Sequence, residues 1–436
     1  MPPSYVSHRA VTLLGSGPTG GVIGAARAAA EAGVTEFVAV DMGGTSFDIC
    51  LVRDGLPEVK ADWNWRYRYY IGLPMVDIQC IGAGGGSIAR VRQGSLLVGP
   101  ESAGAQPGPV CFARGGTLPT VTDADAVLGY LRPTGFADGR MDLDLEAARK
   151  AIRSEVAEPL DIDLIAAAWG IERIVNANMA TATRKVLAGY GADARELSLI
   201  AYGGNGAVHA WAIAEELGVT RILVPRAAPV FSALGLLIAD YRVDLQLAQV
   251  SPMALVDPEQ LRRMLVDLSS EAVAELDPAQ LDPEQIDVQL FVQMAYPGQN
   301  FDLSIPAPPA GESSDFLAEL TERFHDQHLA ERGFAFRENS PVLRGVRALV
   351  TGHTPHPPTL AESAGAKDLE GARTGSRPVY FGSGFVEAPT FDGGLLGVGV
   401  SVSGPALIEE RFTVIVIPPG WTAELLESFS FELTKD

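Results

Sequence analysis

Cysteines, basic residues and long apolar runs are all scarce in this sequence. The three cysteines, Cys50, Cys80 and Cys111, are odd in number and have no C-x-x-C spacing, so neither a disulfide framework nor a zinc site is indicated. No run of about 18 apolar residues is free of charge, glycine or proline, and the first residues lack an apolar signal core. We therefore expect a cytoplasmic protein with no membrane partner.

The shortage of basic residues limits the possible ligands. Lysine and arginine number 33 against 54 acidic residues, which gives a formal net charge of −21. Such a surface repels a phosphate backbone, so nucleic acid is not an expected partner. A small phosphate ligand stays compatible where backbone N–H groups and a cation offset the charge, which favours Mg²⁺ beside it. The hydrophobic content of 47% predicts a folded chain, and the length predicts two or three domains.

Changes in residue composition and pattern along the chain predict its domain organisation. Glycine turns and β-branched runs alternate with alanine-rich helical stretches over residues 1–245, which is typical of an α/β domain. Residues 246–352 predict an α+β domain, with two helices, the second capped by serine, around two strands. Residues 353–377 are dense in proline, glycine and small polar residues and predict a linker or long loop. Short strands with turns over residues 378–436 predict a β-rich C-terminal module.

The first glycine-rich segment, "VTLLGSGPTGGVIGAARAAAEAG", fits a dinucleotide-binding motif. Gly15, Gly17 and Gly20 have G-x-G-x-x-G spacing between a predicted strand and a predicted helix, and Asp41 follows about 20 residues later. On spacing alone, an NAD-dependent Rossmann dehydrogenase is therefore an alternative.

The segment "DMGGTSFD" argues against that alternative, because another strand-like run, "SFDICLVRDG", follows Asp41 directly. A strand, a tight turn and a strand make a β-hairpin. Glycines allow positive φ and bring N–H groups close to an anion, and hydroxyls add donors. The candidate cofactor-binding residues in this turn are Gly43, Gly44, Thr45 and Ser46. Asp41 and Asp48 are the candidate catalytic residues and Mg²⁺ ligands, although Gly-Gly turns also occur where no ligand binds.

Two further glycine turns favour the ligand interpretation. In "VDIQCIGAGGGSIARV" the turn lies between a strand and a predicted helix, and in "LSLIAYGGNGAVHAWAIAEELGV" it also follows a strand and precedes a helix. The candidate residues are Gly84, Gly85, Gly86, Gly203, Gly204 and Asn205. Three such turns, each after an apolar strand, are better evidence for an anion site than one.

The sequence resembles the hydantoinase/oxoprolinase family, of the type seen in the A subunits of ATP-dependent N-methylhydantoinases. The matching segments include "SGPTGGVIGA", "DMGGTSFDICLV", "IGAGGGSIA", "VGPESAGAQPGPVCFARGGTLPTVTDADAVLG", "YGGNGAVHAWAIAEELGV" and "GPALIEERFTVIVIPPGWTAEL". The resemblance runs from about residue 10 to residue 425, so it covers nearly the whole chain.

The resemblance implies an actin-like (ribonuclease H-like) ATPase fold that binds ATP and Mg²⁺. The family uses ATP to activate a cyclic amide, such as a hydantoin, oxoproline or lactam, or a ketone in carboxylase relatives. By resemblance, "DMGGTSFD" is the second phosphate loop, and Gly203 with Gly204 forms the adenosine-side turn. Gln79 stands where relatives often have histidine, which puts any role of that imidazole in doubt.

The resemblance also implies partners. Family members carry a preceding lobe with its own Asp-x-Gly-Gly-Thr loop, and this sequence has one such loop. Since the chain starts at Met1 with intact motifs, we expect a separate subunit to supply that lobe and a B-type subunit to complete a hetero-oligomer. The alternatives are a truncated or degenerate chain, and a non-catalytic assembly or regulatory subunit.

Other polar residues are weaker candidates. Asp123 and Asp125 suit a helix N-cap and first turn better than a metal, and Arg184 and Lys185 suit a solvated helix face as well as a nucleotide contact. His325 and His328 are expected at the surface, and His209 is expected to pack or to line a substrate. The segment "WNWRYRYY" predicts aromatic side chains on one strand face, in a core or a subunit contact.

Overall fold

The computed structural model describes residues 1–60, 63–65, 69–71, 73–276, 281–308, 315–354 and 369–435. The chain divides into two compact units. A larger unit contains Gly15–Ile238 and Pro357–Asp436, and a smaller unit contains Met1–Leu14 and Ala239–His356. Each unit has its own hydrophobic core.

Helices occur in both units. In chain order they are Pro3–His8 (α1), Ser16–Glu31 (α2), Val121–Val127 (α3), Phe136–Gly139 (α4), Leu145–Ile152 (α5), Glu158–Leu160 (α6), Leu164–Gly189 (α7), Gly206–Leu217 (α8), Phe231–Leu237 (α9), Pro258–Ala274 (α10) and Phe316–Arg332 (α11).

Strands alternate with these helices and dominate the C-terminal part. In chain order they are Phe37–Met42 (β1), Phe47–Arg53 (β2), Leu56–Pro57 (β3), Val59–Lys60 (β4), Trp63–Trp65 (β5), Tyr69–Ile71 (β6), Met75–Val76 (β7), Gln79–Ile81 (β8), Ser87–Arg92 (β9), Ser95–Ser102 (β10), Ser198–Tyr202 (β11), Arg221–Pro225 (β12), Tyr241–Pro252 (β13), Ile286–Ala295 (β14), Leu303–Pro306 (β15), Val342–Gly352 (β16), Arg373–Tyr380 (β17), Phe385–Asp392 (β18), Ser401–Ser403 (β19), Ala406–Glu410 (β20), Thr413–Ile417 (β21), Trp421–Leu425 (β22) and Ser430–Lys435 (β23).

The main sheet of the larger unit has the order β19-β22-β23-β12-β11-β1-β2-β3, and β8 also pairs with β2. Strands β1, β11 and β12 are parallel, whereas β2 returns antiparallel to β1. The central strand β11 is buried at every position, because its apolar sequence "SLIAY" lies between two other strands and beneath helices. This arrangement confirms the predicted α/β class with an α+β part and a β-rich C-terminal part.

The predicted elements of the smaller unit form as expected. Helix α10 begins after Asp257, whose carboxylate accepts from the Glu259 N–H at 3.0 Å, and it buries one apolar face. Strands β14 and β15 pair around the Tyr296 turn, in a sheet of order β13-β16-β14-β15. The serines expected to cap α11 lie outside the described residues.

The C-terminal part is arranged differently from a separate module. Strands β22 and β23 extend the main sheet, with β23 antiparallel to β12, and β17, β18, β20 and β21 form a second sheet in the larger unit. Strand β17 already begins at Arg373, so the end of the predicted linker is extended structure. Most of the rest of that linker lies outside the described residues.

The aromatic segment also differs from the prediction of one strand. Strands β5 and β6 form an antiparallel pair, with Trp65 opposite Tyr69. The side chains of this segment lie outside the described part of the structure, so their expected common face stays a prediction.

Candidate functional site

The "DMGGTSFD" segment forms the hairpin predicted from the sequence. Strand β1 ends at Met42, strand β2 begins at Phe47, and Asp41 lies directly opposite Asp48. The Gly43 N–H closes the turn by donating to the Ser46 carbonyl oxygen at 3.1 Å. The turn therefore carries two facing carboxylates at its base, and its tip is exposed at Gly44 and Thr45.

Gly43 and Gly44 have a different role from the one expected. Neither has the positive φ that was predicted for this turn. A Cβ atom on Gly44 would meet nothing within 4 Å. These glycines therefore leave open space at the tip of the hairpin, into which a ligand could approach the backbone.

The carboxyl ends of parallel strands bring the turns together. Strands β1 and β11 are parallel neighbours in register, with Asp41 opposite Tyr202, so the turns after Met42 and Tyr202 leave the same edge of the sheet. Strand β8 pairs with the start of β2, with Ile81 opposite Phe47, and delivers the third glycine turn to this edge. Ligands commonly bind at this edge of α/β sheets.

The Gly84–Gly86 turn packs directly beneath the hairpin tip. The Gly85 N–H donates to the Gly43 carbonyl oxygen at 3.1 Å, and the Gly86 N–H donates to the Gly44 carbonyl oxygen at 2.7 Å. A Cβ atom on Gly84 would lie 2.7 Å from the Gly43 oxygen, so only glycine allows this approach.

The prediction of a helix after this turn is wrong. Strand β9 follows instead and pairs with β10 through Gln93 and Gly94, which both have positive φ. The two-residue turn with positive φ is typical of a β-hairpin, and it sets the register of this pair.

The Gly203 turn closes the other side, between β11 and α8 as predicted. Gly203 has φ +85°, and a Cβ atom there would overlap Asp41 Oδ1. The Asn205 N–H donates to the Met42 carbonyl oxygen at 3.0 Å, and the Asn205 side-chain amide packs against Gly85. The three glycine turns thus meet one another.

Burial shapes the electrostatics of the two carboxylates. Burial raises the pKa of Asp41, an effect opposed by a hydrogen bond from Ser232 and reinforced by the charge of Asp48. Ser232 Oγ donates to Asp41 Oδ2 at 3.1 Å. Burial also raises the pKa of Asp48, opposed by the Cys80 thiol across the β2–β8 pair. Ser232 is not predictable from the sequence, because nothing local marks a serine that is 191 residues from its partner.

The dinucleotide-binding alternative fails on the structure. Residues Ala10–Leu13 form a 3-10 helix rather than a strand. A Cβ atom on Gly20 would lie 2.5 Å from the Ser232 carbonyl oxygen, and one on Gly235 would overlap the Gly20 carbonyl oxygen. The glycines of α2 therefore allow close packing against α9, which is a structural function.

A cavity of about 550 Å³ lies beside the Gly203 turn. Thr413 lines it and donates from Oγ1 to the Gly204 carbonyl oxygen at 2.9 Å. Other lining side chains include Arg132, Arg226 and Phe412. No local sequence signal marks this cavity, because its walls come from segments far apart in the chain.

The weaker candidate residues from the sequence have structural roles. Asp123 is the N3 residue of α3 in a capping box with Thr120, as the helix-terminus interpretation predicted. Arg184 is exposed and donates to the Glu216 backbone carbonyl oxygen. His325 and His328 are not at the surface, because both pack in an aromatic cluster around Tyr296.

Comparison with known proteins identifies the class and then the family. The mixed α/β fold, with glycine turns gathered at the carboxyl edge of its parallel strands, is that of a ligand-binding α/β protein. The chain belongs to the hydantoinase/oxoprolinase family, whose model matches residues 1–245, while the model of the hydantoinase/oxoprolinase C-terminal domain matches residues 254–435. The resemblance stated from the sequence motifs is confirmed.

Several relatives are similar over nearly the whole chain. Caprolactamase subunit alpha of Pseudomonas jessenii is 38% identical over 99% of this chain and 63% of its own length. The acetophenone carboxylase gamma subunit of Aromatoleum aromaticum is 35% identical over 92% of this chain and 57% of its own length. The chain thus spans less than two thirds of the length of these relatives.

Two solved structures share the fold. A nucleotide-free structure of acetone carboxylase matches with a TM-score of 0.83 at 29% identity, covering 96% of this chain and 61% of that chain. The crystal structure of the ATP-dependent caprolactamase from Pseudomonas jessenii matches with a TM-score of 0.77 at 35% identity and the same coverage. In the part of the chain that the structure describes, no helix is long and apolar enough to cross a membrane.

Proposed function

We propose that this chain is part of an ATP-dependent enzyme that activates the carbonyl group of a cyclic amide, or of a ketone in a carboxylation. The observation that carries the proposal is the meeting of three glycine turns around Asp41 and Asp48. Bound ATP would supply the phosphoryl group that activates the carbonyl oxygen. The names of the caprolactamase and acetone carboxylase relatives support this reaction class.

The hairpin tip is proposed to bind phosphate oxygens. Gly44 and Thr45 are exposed, and the absence of a side chain at Gly44 leaves the backbone accessible. The Gly84–Gly86 turn holds the tip by hydrogen bonds to the Gly43 and Gly44 carbonyl oxygens, which keeps the tip rigid. Fixed N–H groups and the Thr45 and Ser46 hydroxyls suit an anion in a protein of strong negative charge.

The donor set fits Mg²⁺. Asp41 and Asp48 offer two carboxylates, and the described residues contain no group of three or more metal-ligating side chains. Mg²⁺ usually takes one or two protein carboxylates and completes its shell with water and phosphate oxygens. We therefore propose Asp41 and Asp48 as ligands of Mg²⁺ or of its waters, with Ser232 fixing the orientation of Asp41.

The cavity beside Gly204 is proposed to receive the nucleoside. It lies next to the Gly203–Asn205 turn, which the family resemblance assigns to adenosine, and Phe412 offers an aromatic face at its wall. Arginines Arg132 and Arg226 line it together with acidic groups. Polar groups of both signs suit the hydroxyls and ring nitrogens of a nucleoside.

The proposed enzyme also contains partner subunits. Relatives are designated alpha, beta or gamma subunits, which supports a hetero-oligomer. We propose that a preceding lobe with a second phosphate loop and a B-type subunit join this chain. Whether hydrolysis or carboxylation follows depends on those partners.

Calorimetry with Mg²⁺-ATP tests the proposal, on this chain alone and on the complex with its co-purifying partners. Asp41→Asn and Asp48→Asn are expected to abolish binding that the wild-type complex shows. Asp267→Asn, at an exposed position of α10 in the smaller unit, is a matched control expected to bind normally. Binding by wild type that both site variants retain would remove Asp41 and Asp48 from the site. Failure of every sample to bind would leave a non-catalytic assembly subunit as the better account.

A further inference from the structure

A chain of buried polar side chains joins helices α3, α7 and α8. His209 Nε2 of α8 lies 3.3 Å from Asp125 Oδ2 of α3, and His209 Nδ1 lies 3.0 Å from Asn176 Oδ1 of α7. The Asn176 amide nitrogen donates to the Glu172 carboxyl group one turn earlier. None of the four side chains is more than 2% exposed.

The hydrogen-bond pattern favours the charged form of His209. Asn176 donates from its nitrogen to Glu172, so its oxygen faces Nδ1 and accepts a proton from it. Asp125 accepts from Nε2. Both ring nitrogens therefore carry a proton, and a buried imidazolium is paired with the Asp125 carboxylate. Burial opposes this charge, but Asp125 and Glu172 outweigh it and raise the pKa of His209.

This ion pair lies one helical turn behind two residues that contact Gly85. Asp125 follows Thr122 by three residues, and the Thr122 N–H donates to the Gly85 carbonyl oxygen at 2.8 Å. His209 follows Asn205 by four residues, and its N–H donates to the Asn205 carbonyl oxygen at 3.4 Å. The Asn205 side-chain amide and the Thr122 hydroxyl both lie against Gly85, where a Cβ atom would overlap them.

We propose that Asp125 and His209 are positioning residues for the phosphate-binding turns. By joining α3 to α8, the pair holds Thr122 and Asn205 on Gly85 and so keeps the 84–86 turn beneath Gly43 and Gly44. A buried ion pair adds little net stability. It does disfavour other arrangements of the two helices, because a shifted partner leaves an unpaired charge in the interior. The inference deepens the proposed function, on which its consequence for nucleotide binding rests.

Amide hydrogen exchange on the full chain measures the positioning directly. The N–H groups of Gly85, Gly86, Thr122 and Asn205 make the hydrogen bonds in question. In His209→Gln we expect these amides to exchange roughly tenfold faster than in the wild type. The exchange should occur through a local opening that costs less free energy than global unfolding. The control is His328→Gln, which removes another buried histidine, from the smaller unit, and should leave these four amides protected.

Asp125→Asn keeps an acceptor for Nε2–H and removes only the charge, so it carries the test if His209→Gln does not fold. The double variant Asp125→Asn/His209→Gln should be no worse than the more damaged single variant, because paired residues show non-additive effects. Unchanged protection of the four amides in a folded single variant would overturn the positioning role.

Nucleotide binding is the second readout, measured with Mg²⁺-ATP on the partnered complex. We expect His209→Gln to weaken binding by roughly tenfold, the usual loss when a supporting shell is removed, and His328→Gln to have no effect. If the wild-type complex binds no nucleotide, the proposed function fails, and the exchange data alone decide the positioning role. Wild-type binding that stays unchanged in a folded His209→Gln variant would contradict the inference.

Discussion

Asp41 and Asp48 face each other directly across the β1–β2 ladder. Burial raises the pKa of both carboxyl groups, and the charge of Asp48 adds to the shift at Asp41. Two half-buried carboxylates in opposed positions are stable as ions only when positive charge or hydrogen-bond donors compensate them. Ser232 supplies one donor to Asp41, and the Cys80 thiol opposes the shift at Asp48. Under the proposed function, bound Mg²⁺ would supply the remaining compensation.

We expect Gly203→Ala to damage the site and Gly44→Ala to spare the fold. Gly203 has φ +85°, and a Cβ atom there overlaps Asp41 Oδ1, whereas a Cβ on Gly44 meets nothing within 4 Å. The left-handed conformation alone costs alanine roughly 1–2 kcal/mol. Thermal unfolding should show a lower melting temperature for Gly203→Ala only, while nucleotide titration should detect weaker binding for both. Equal melting temperatures would refute the close approach at Gly203.

The close packing of α2 against α9 is tested by a matched pair of glycine substitutions, one in each helix. Gly235→Ala places a Cβ on the Gly20 carbonyl oxygen and should destabilise the fold by about 1–3 kcal/mol, the usual cost of overpacking. Gly17 has nothing within 4 Å of its Cβ position, so Gly17→Ala should be neutral or slightly stabilising in the helix. Chemical denaturation measures both, and similar losses for the two variants would contradict the packing role.

Asp123 is expected to hold the loop before α3. Its carboxylate accepts from the N–H groups of Val110, Cys111 and Thr120 at 2.7–3.1 Å and from the Thr120 hydroxyl at 2.8 Å. Asp123→Ala leaves these buried donors without an acceptor and should cost about 3 kcal/mol or more. Asp123→Asn keeps one acceptor and should cost less. Urea unfolding of both variants ranks them, and a smaller loss for alanine would count against this role.

Stability should fall as pH rises through the range where Glu172 ionises. Burial raises the pKa of Glu172 from 4.5 to about 7, offset in part by His209. The folded state therefore holds a proton that the unfolded state releases, so between pH 4.5 and 7 the native state loses on the order of 3 kcal/mol relative to the unfolded state. The raised pKa of His209 acts in the same direction, because its favourable charge is lost above that pKa.

Denaturant titrations at several pH values compare wild type with Glu172→Gln, which cannot ionise. The variant should show a shallower decline over the same range, and an unchanged slope would mean that Glu172 does not titrate as described.

Local signals predicted the parts of the site but not their assembly. The hairpin at Asp41 and the turn before α8 follow from apolar strands that end in glycine, a pattern held within about ten residues. The contacts of Thr122 and Asn205 with Gly85 depend on tertiary packing and have no local signature. The prediction that His325 and His328 lie at the surface is wrong, because helical spacing alone does not show that a neighbouring aromatic cluster encloses them.

The glycines of α2 show a second reason why the sequence alone does not predict the site. A G-x-G-x-x-G spacing serves close backbone approach in general, and the sequence does not say whether a pyrophosphate or another helix approaches. Here the partner is α9, which lies about 200 residues later in the chain.

The pairing of β12 with β23 joins residues 221–225 to residues 430–434 in the middle of the main sheet. During synthesis the edge of β12 stays unpaired until β23 has also been made, so the sheet that presents the glycine turns is completed late. A newly made chain has to protect this edge from association for some 200 residues of translation. Loss of β23 would therefore act on solubility and assembly far from the turns themselves.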